Sequence, residues 1–223
     1  MLAIDVDGLF NVRASDTRRP WLVRSGAPEA LSEAGEKLLI ALGVSVIVDL
    51  REPAESDAVV HGIPSASVPV YGTEPPATGT LEEIYEGLLR SRGHALTAAV
   101  GAIADAEGAA LVHCTAGKDR TGLVVALARF AAGASEGDVV ADYVLSAPQV
   151  RPVRGEHAER IAASVEARER ADVLRLHLES PPEAIVHALA VVREFGGAEE
   201  YLRAHGLRSD QLAALRRKEG VAA

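Results

Sequence analysis

The chain has 223 residues, 48% hydrophobic and 25% charged, with a formal net charge of −9 and one cysteine. That length buries an ample core without metal or disulfide staples, and a single cysteine closes no intramolecular disulfide, so nothing points to an oxidising compartment. An acidic chain without a dense Lys/Arg stripe argues against a nucleic-acid partner and leaves any anion site to be made locally.

In chain order, PWLVRSG predicts a first strand and residues from about Pro28 to Leu42 a helix. VSVIVDLRE and SASVPV predict two further strands, the stretch from Leu81 to about Ala106 is helical, and AALVHCT predicts a fourth strand. The longest apolar run, LLIALGVSVIVDL, is broken by Gly43 and Ser45 and is too short to span a bilayer, so no integral membrane segment is expected. No basic and apolar leader pattern opens the chain, and the expected location is the cytoplasm. From about residue 135 helical periodicity dominates. Thr80-x-x-Glu83 and Ser180-Pro-Pro-Glu183 both fit the capping box, the second with Pro181 at the first helical position. The helical segment from about Gly155 to Glu179 is charged yet carries Ile161, Val165, Val173, Leu174 and Leu176. The expectation is one domain over residues 1–223, α/β to about 134 and helical beyond, with residues 71–80 as a loop.

The lone cysteine stands in VHCTAGKDRTG, residues 112–122. AALVHC is of strand type, and in TGLVVALARFAAG the residues Leu123, Ala126, Leu127 and Phe130 share one helix face. CTAGKDR is therefore a tight strand-to-helix turn. A helix starting near Arg120 aims its unpaired N–H groups and the positive end of its dipole into that turn, making an anion cradle from the backbone of Thr115, Ala116, Gly117 and Lys118. Gly117 lets the chain curl around the anion and Gly122 permits close helix packing. The same field favours the thiolate, the reactive form of a free cysteine. Arg120 adds a planar fork for two oxygens of a tetrahedral anion. A nucleophile and a phosphate site coincide, which suits attack on phosphorus through a covalent phosphocysteine.

Blander readings compete. A lone cysteine at a strand end is usually a small buried hydrophobe, but Gly117 and Arg120 favour a nucleophile. Lys118 and Asp119 could form a solvated turn. His113 could be a satisfied core histidine but is expected to position the loop and the thiolate; Thr121 reads either as a helix-start residue or as a hydroxyl that reaches the sulfur as leaving group. Asp49 and Arg51 read as a structural ion pair near a strand end, and Arg24 and Ser25 as structural. A nucleotide-binding loop fails, because it needs Gly where Val112 stands and a hydroxyl where Asp119 stands. A sulfurtransferase would not need Lys118 and Asp119 before the arginine or Thr121 and Gly122 after it, and a non-catalytic phosphoprotein-binding module would usually lose the nucleophile or the acid. The seven histidines are scattered without ligand spacing, so no metal is expected.

HCTAGKDRTG resembles the His-Cys-x5-Arg-Thr signature of the cysteine-dependent protein tyrosine phosphatase superfamily. Its Ala-Gly-Lys-Asp-Arg-Thr-Gly form is similar to that of bacterial tyrosine/serine phosphatases that also act on phosphoinositides. Asn11-Val12-Arg13, Leu22-Val23-Arg24-Ser25-Gly26, Val48-Asp49-Leu50-Arg51 followed by Glu55, and Tyr201-Leu202 with Gly206 resemble that family's further landmarks. The resemblance implies an α/β fold with a central sheet flanked by helices and a helical C-terminal part. It implies a phosphorylated protein or phosphoinositide as substrate, no cofactor, and a helical lid over part of 155–179, for which the rival reading is an ordinary packed amphipathic helix. The oligomeric state stays open. The chain departs from the family where Asn-Phe-Arg-Asp-x-Gly-Gly is represented only by NVRASD, and where an acid loop is expected: no Asp occurs between Asp57 and Asp105. The resemblance gives the acid's role to Asp119, with Glu74 as competitor.

Overall fold

Alternating side chains in the short apolar runs build a sheet with two unequal faces. A computed structural model describes residues 1–55 and 62–220. Its strands are β1 (Leu2–Ala3), β2 (Arg13–Ala14), β3 (Leu22–Ser25), β4 (Val44–Asp49), β5 (Ser65–Ser67) and β6 (Ala109–His113), in the spatial order β1-β2-β3-β6-β4-β5. Strands β3, β6, β4 and β5 are parallel, and β1 and β2 extend the sheet antiparallel beside β3. Along β6, Ala110 and Val112 enter the larger core while Ala109 and Leu111 enter the smaller. Leu22 and Val23 in β3, and Val48 and Ile47 in β4, divide in the same way, as the two-residue period of a strand requires.

The smaller core is closed by α1 (Glu33–Ala41) through Leu39. On the other face lie α2 (Leu81–Ser91), α3 (Gly93–Asp105), α4 (Asp119–Ala132) and α5 (Glu136–Val144). Then come α6 (Ser146–Ser164) and α7 (Arg170–Leu178), which pack on each other, followed by α8 (Pro182–Glu194), α9 (Ala198–Ala204) and α10 (Ser209–Glu219). Helix α4 is buried on nearly every side, so its sequence carries little amphipathic contrast. Among the described residues no helix is long and apolar enough to cross a membrane.

Four predicted strands occur where expected, and the fold is the α/β arrangement anticipated. Several boundaries differ for local reasons. The helix expected over 81–106 is two: Arg92 leaves helical geometry (φ −122°, ψ 21°) and donates from Nε to the Val70 carbonyl. A Cβ on the following Gly93 would lie 2.3 Å from the His205 ring, so this glycine admits the close approach that starts α3. The helix expected from Pro28 is a 3₁₀ turn, Pro28–Ala30, before Ser32 caps α1 by accepting the Gly35 N–H. Thr80 caps α2 as predicted. Ser180 does not cap α8, because its hydroxyl accepts the Ala147 N–H (2.9 Å) and donates to the Val144 carbonyl (3.1 Å). The helical segment expected over 155–179 breaks between Ser164 and Arg170 and forms the second half of an α6–α7 hairpin.

Ser25 and Asp49 both pair in register with His113, so β3, β6 and β4 end level. The residues that follow them gather at one edge, the carboxyl edge of a parallel sheet where such folds bind ligands.

Candidate active site

The chain leaves β6 at His113 and enters α4 at Asp119, one residue before the expected Arg120, so residues 114–118 form the turn. Gly117 has φ +66°, and a Cβ there would sit 2.1 Å from the Ser25 carbonyl oxygen; only glycine fits. Asn11 Nδ2 donates to the carbonyls of Ala116 (3.0 Å) and Gly117 (2.9 Å), and Arg24 Nη2 donates to Gly117 (2.7 Å). Because a trans peptide points its N–H opposite its C=O, these bonds turn the N–H groups of Gly117 and Lys118 away from Asn11 and Arg24. Among the described residues the N–H groups of residues 115–118 donate to no backbone carbonyl.

The turn floors a cavity of about 240 Å³ lined by Cys114, Thr115, Ala116, Asp119 and Arg120 together with Glu55, Tyr71 and a wall from α6 and α7. Cys114 is 2% exposed. Arg120 sets Nη1 and Nη2 on Glu55 (2.5 and 2.7 Å), and Thr115 Oγ1 donates to the same carboxylate (2.7 Å). The guanidinium carbon lies 4.8 Å from the Tyr71 ring centroid, within cation–π range. Burial alone would raise the Glu55 carboxyl, but the hydrogen bonds from Arg120 and Thr115 outweigh it and hold it down to about 2. Glu55 therefore stays an anion that fixes the guanidinium plane.

Asp119 Oδ1 accepts from Lys118 Nζ (2.6 Å) and from the Tyr85 hydroxyl (2.7 Å), and Tyr85 meets Tyr143 hydroxyl to hydroxyl at 2.7 Å. Burial and the Asp119 charge push Tyr85 well above the usual phenol range, so it remains a donor. The Lys118 ammonium is fully buried beside Asp119 and does not line the cavity; it is no solvated turn. His113 lies behind the turn, Nδ1 3.3 Å from the Cys114 carbonyl oxygen and Nε2 3.7 Å from Asp49. The Thr121 hydroxyl is buried and has no hydrogen-bond partner among the described residues, so the expected contact with the sulfur is not made. Glu74 is exposed and does not line the cavity; Asp57 lies outside the described residues. Asp49 and Arg51 pair at 3.0 Å as expected.

The profile of the tyrosine phosphatase family matches residues 5–218. The chain belongs to this family. It is similar to a tyrosine-protein phosphatase of Nostoc commune, 28% identical over 94% of this chain and 78% of that protein. It is also similar to the triple specificity protein phosphatase PtpB of Mycobacterium tuberculosis, 36% identical over 42% of this chain and 31% of that protein. The chain is thus a protein-tyrosine-phosphatase of a bacterial family, as the motif led us to expect.

This tyrosine phosphatase braces its turn from behind with residues outside the signature loop. Asp142, in α5, accepts Arg13 Nε on Oδ1 (2.7 Å) and Arg24 Nη1 on Oδ2 (2.6 Å). Arg13 Nη1 donates to Asn11 Oδ1 (2.6 Å), and Ser146 Oγ accepts Arg13 Nη2 (2.9 Å). Asn11 takes a left-handed φ of 56° to present its amide to the turn. Burial and the neighbouring Arg24 lower Arg13 to about 10. Burial would raise Asp142, yet Arg24 and Arg13 hold it down to about 2. Asn11, Arg13 and Arg24 stood in the sequence as landmarks without a task; Asp142 and Ser146 had no signal at all, being ordinary polar residues far along the chain.

Proposed function

We propose that this phosphatase hydrolyses phosphomonoesters through a phosphocysteine on Cys114, with Arg120 as the phosphate clamp and Asp119 as general acid. The Cys114 thiolate attacks phosphorus; the bond from phosphorus to the ester oxygen breaks, that oxygen keeps the electron pair, and Asp119 gives it a proton. Water then attacks phosphorus, Asp119 takes back the proton, and the S–P electron pair returns to sulfur as phosphate leaves. Both bonds that Asp119 accepts fall on Oδ1, which leaves Oδ2 to carry the proton. The N–H groups of the turn and the Arg120 fork stabilise the non-bridging oxygens as charge shifts onto them. Nucleophile, clamp and acid all come from the chain itself.

The observation that carries this reading is the meeting of Cys114, Arg120 and Asp119 on the wall of one cavity. The recessed thiol and the apolar groups around it, Tyr71, Pro75, Pro76, Ile161 and Leu176, suit a phosphotyrosine ring better than the shorter phosphoserine or the hydroxyl-rich ring of a phosphoinositide. The triple specificity named for PtpB makes both worth assaying as slower substrates. We infer that the α6–α7 hairpin serves as the lid, since Arg154, His157, Ile161, Leu176 and His177 reach the cavity from it. A thiol catalyst suits a reducing compartment such as the cytoplasm.

Phosphate release from phosphotyrosine, phosphoserine and phosphoinositide panels, compared for the native protein, Cys114→Ser and Asp119→Asn, tests the proposal. Cys114→Ser is expected to lose turnover and still bind vanadate; undiminished turnover refutes the phosphocysteine. Asp119→Asn is expected to lose roughly 10²- to 10⁴-fold on alkyl phosphates and far less on aryl phosphates with acidic phenols. An equal loss on every leaving group refutes Asp119 as the acid, and the same dependence in Glu74→Gln transfers the role to Glu74.

A further inference from the structure

Counted with the buried Lys118 behind Asp119, the cations at the cavity outnumber the carboxylates. Arg120 is committed to Glu55 and Lys118 to Asp119, so each cation of the turn already faces a carboxylate. Arg154 lines the same cavity from α6, half-buried, and among the described residues it makes no hydrogen bond and no ion pair. Its neighbours on the hairpin are treated differently: Arg151 reaches Glu179, Arg160 reaches Glu156 and Arg175 reaches Glu82. One turn along the same face of α6 stands His157, whose ring lies 6.4 Å from that of His177 in α7, and both rings line the cavity. Burial lowers both histidines below the ordinary imidazole range, with Arg154 adding to the effect. At neutral pH the rings are uncharged donors and acceptors, and Arg154 is left as the uncompensated cation of the wall.

From this we propose that Arg154, with His157 beside it, forms a second anion subsite at the catalytic cavity that reads an acidic side chain flanking the phosphotyrosine of a protein substrate. The inference rests on the phosphotyrosine reading above and adds to it a sequence preference. A guanidinium is a fork that accepts a carboxylate in two parallel hydrogen bonds, and leaving one half-buried without a partner keeps that capacity for a ligand. Between its charged and polar groups the wall also presents Tyr71, Pro75, Pro76, Ile161 and Leu176. That favours an aryl phosphate on a peptide over an inositol ring, whose hydroxyls would face carbon. The molecule as a whole carries −9 and repels acidic partners at long range, so recognition of one depends on a local cation of this kind.

The test reads a ratio inside each protein, which is independent of any general loss of activity. Matched phosphotyrosine peptides with Asp/Glu, Ala or Lys beside the phosphotyrosine are assayed with the native protein, Arg154→Ala, Arg154→Glu and Arg154→Lys, alongside a small aryl phosphate. The native protein is expected to favour the acidic over the Ala peptide by about fivefold in kcat/KM, the factor of one partly exposed charge pair, through KM and diminishing at high salt. Arg154→Ala brings the ratio to about one, Arg154→Glu inverts it toward the Lys peptide, and Arg154→Lys restores part of it. A native protein without the preference, or a ratio that survives Arg154→Ala, overturns the subsite. So does an effect of Arg154→Ala confined to a bisphosphorylated inositol lipid in phosphatidylcholine vesicles, which would assign the cation to another class of ligand. Failure to hydrolyse any phosphotyrosine peptide while the small aryl phosphate turns over would instead refute the phosphotyrosine reading, and the subsite with it.

Discussion

Asp142→Asn removes a charge that touches neither substrate nor sulfur, yet it should weaken both the fold and the phosphate cradle. The side chains of Arg13 and Arg24 are 2% and 1% exposed and share the Asp142 carboxylate. Each tenfold change in proton affinity corresponds to about 1.4 kcal/mol, so lowering Asp142 from 3.8 to about 2 accounts for roughly 2.5 kcal/mol of folding stability. An asparagine also leaves two buried guanidiniums without their counter-charge, and breaking a buried ion pair in this way costs about 3–5 kcal/mol. Urea unfolding at pH 7 should show a loss in that range. The folded-state value lies below the unfolded one, so the stabilisation is complete above about pH 4 and disappears as pH falls through about 2; the gap between native protein and variant should close over that interval. Arg24 also loses the anchor from which it holds the Gly117 carbonyl, so vanadate affinity and kcat/KM should fall under conditions where the variant remains folded. A stability loss below about 1 kcal/mol, a gap that does not change with pH, or unaltered vanadate binding would refute the coupling between this network and the turn.

Glu55→Gln should release Arg120 from its fixed plane and lower kcat/KM by roughly 10- to 100-fold, the scale of a charge-assisted hydrogen bond, and steady-state kinetics with an aryl phosphate measure it. Because Glu55 is held at about 2 against 4.5, its own contribution to stability is present above about pH 4.5 and lost as pH falls through about 2, so the variant should also unfold with a flatter acid limb. Tyr85→Phe removes one of the two bonds on Asp119 Oδ1 and should reproduce, at about tenfold, the leaving-group dependence of Asp119→Asn; a loss independent of the leaving group would mean that Tyr85 only supports the core. Gly117→Ala forces a side chain into a left-handed backbone position against the Ser25 carbonyl. It should abolish vanadate binding by isothermal titration even where circular dichroism shows the helices intact.

What the sequence revealed of this molecule follows from how local each signal is. The strand-to-helix turn was legible because its parts are consecutive in the chain: an apolar run, a glycine that must curl, an arginine, and a long apolar helix. VSVIVD and AALVH were legible by composition, since parallel strands covered on both faces are near-continuously apolar; SAS is an exposed edge strand and stood out only as the start of the run SASVPV. Strands β1 and β2 were not, because two residues each give no period, and Arg13 in a strand looks like surface until Asp142 is seen opposite it. Helix ends were misread where a distant partner decides them. Ser180 has the residue type of a cap, but Ala147 and Val144 occupy its hydroxyl; Arg92 has no reason in the sequence to stop a helix, yet the Val70 carbonyl holds it. Glu55 stood only as a landmark after Arg51, and nothing local indicated that it holds Arg120.

The same distinction bears on how the site holds its shape. Cys114, Asp119 and Arg120 sit on one short stretch whose far end is the first turn of a buried helix, so their spacing is set by α4 and does not depend on a separate loop swinging in. A stretch that short cannot hold itself open, because the N–H groups proposed to face phosphate must stay unpaired while buried, which costs free energy in the empty site. Three outside groups offset that cost. Asn11 and Arg24 take the carbonyls from behind, Glu55 takes the guanidinium from the side, and Tyr85 with Tyr143 takes the acid from above α2 and α5. Two of these three depend on a carboxylate held near 2, Asp142 behind Arg24 and Glu55 beside Arg120, both far below neutral pH. In the proposed mechanism the reactive groups then change protonation during turnover while the charges that position them stay fixed.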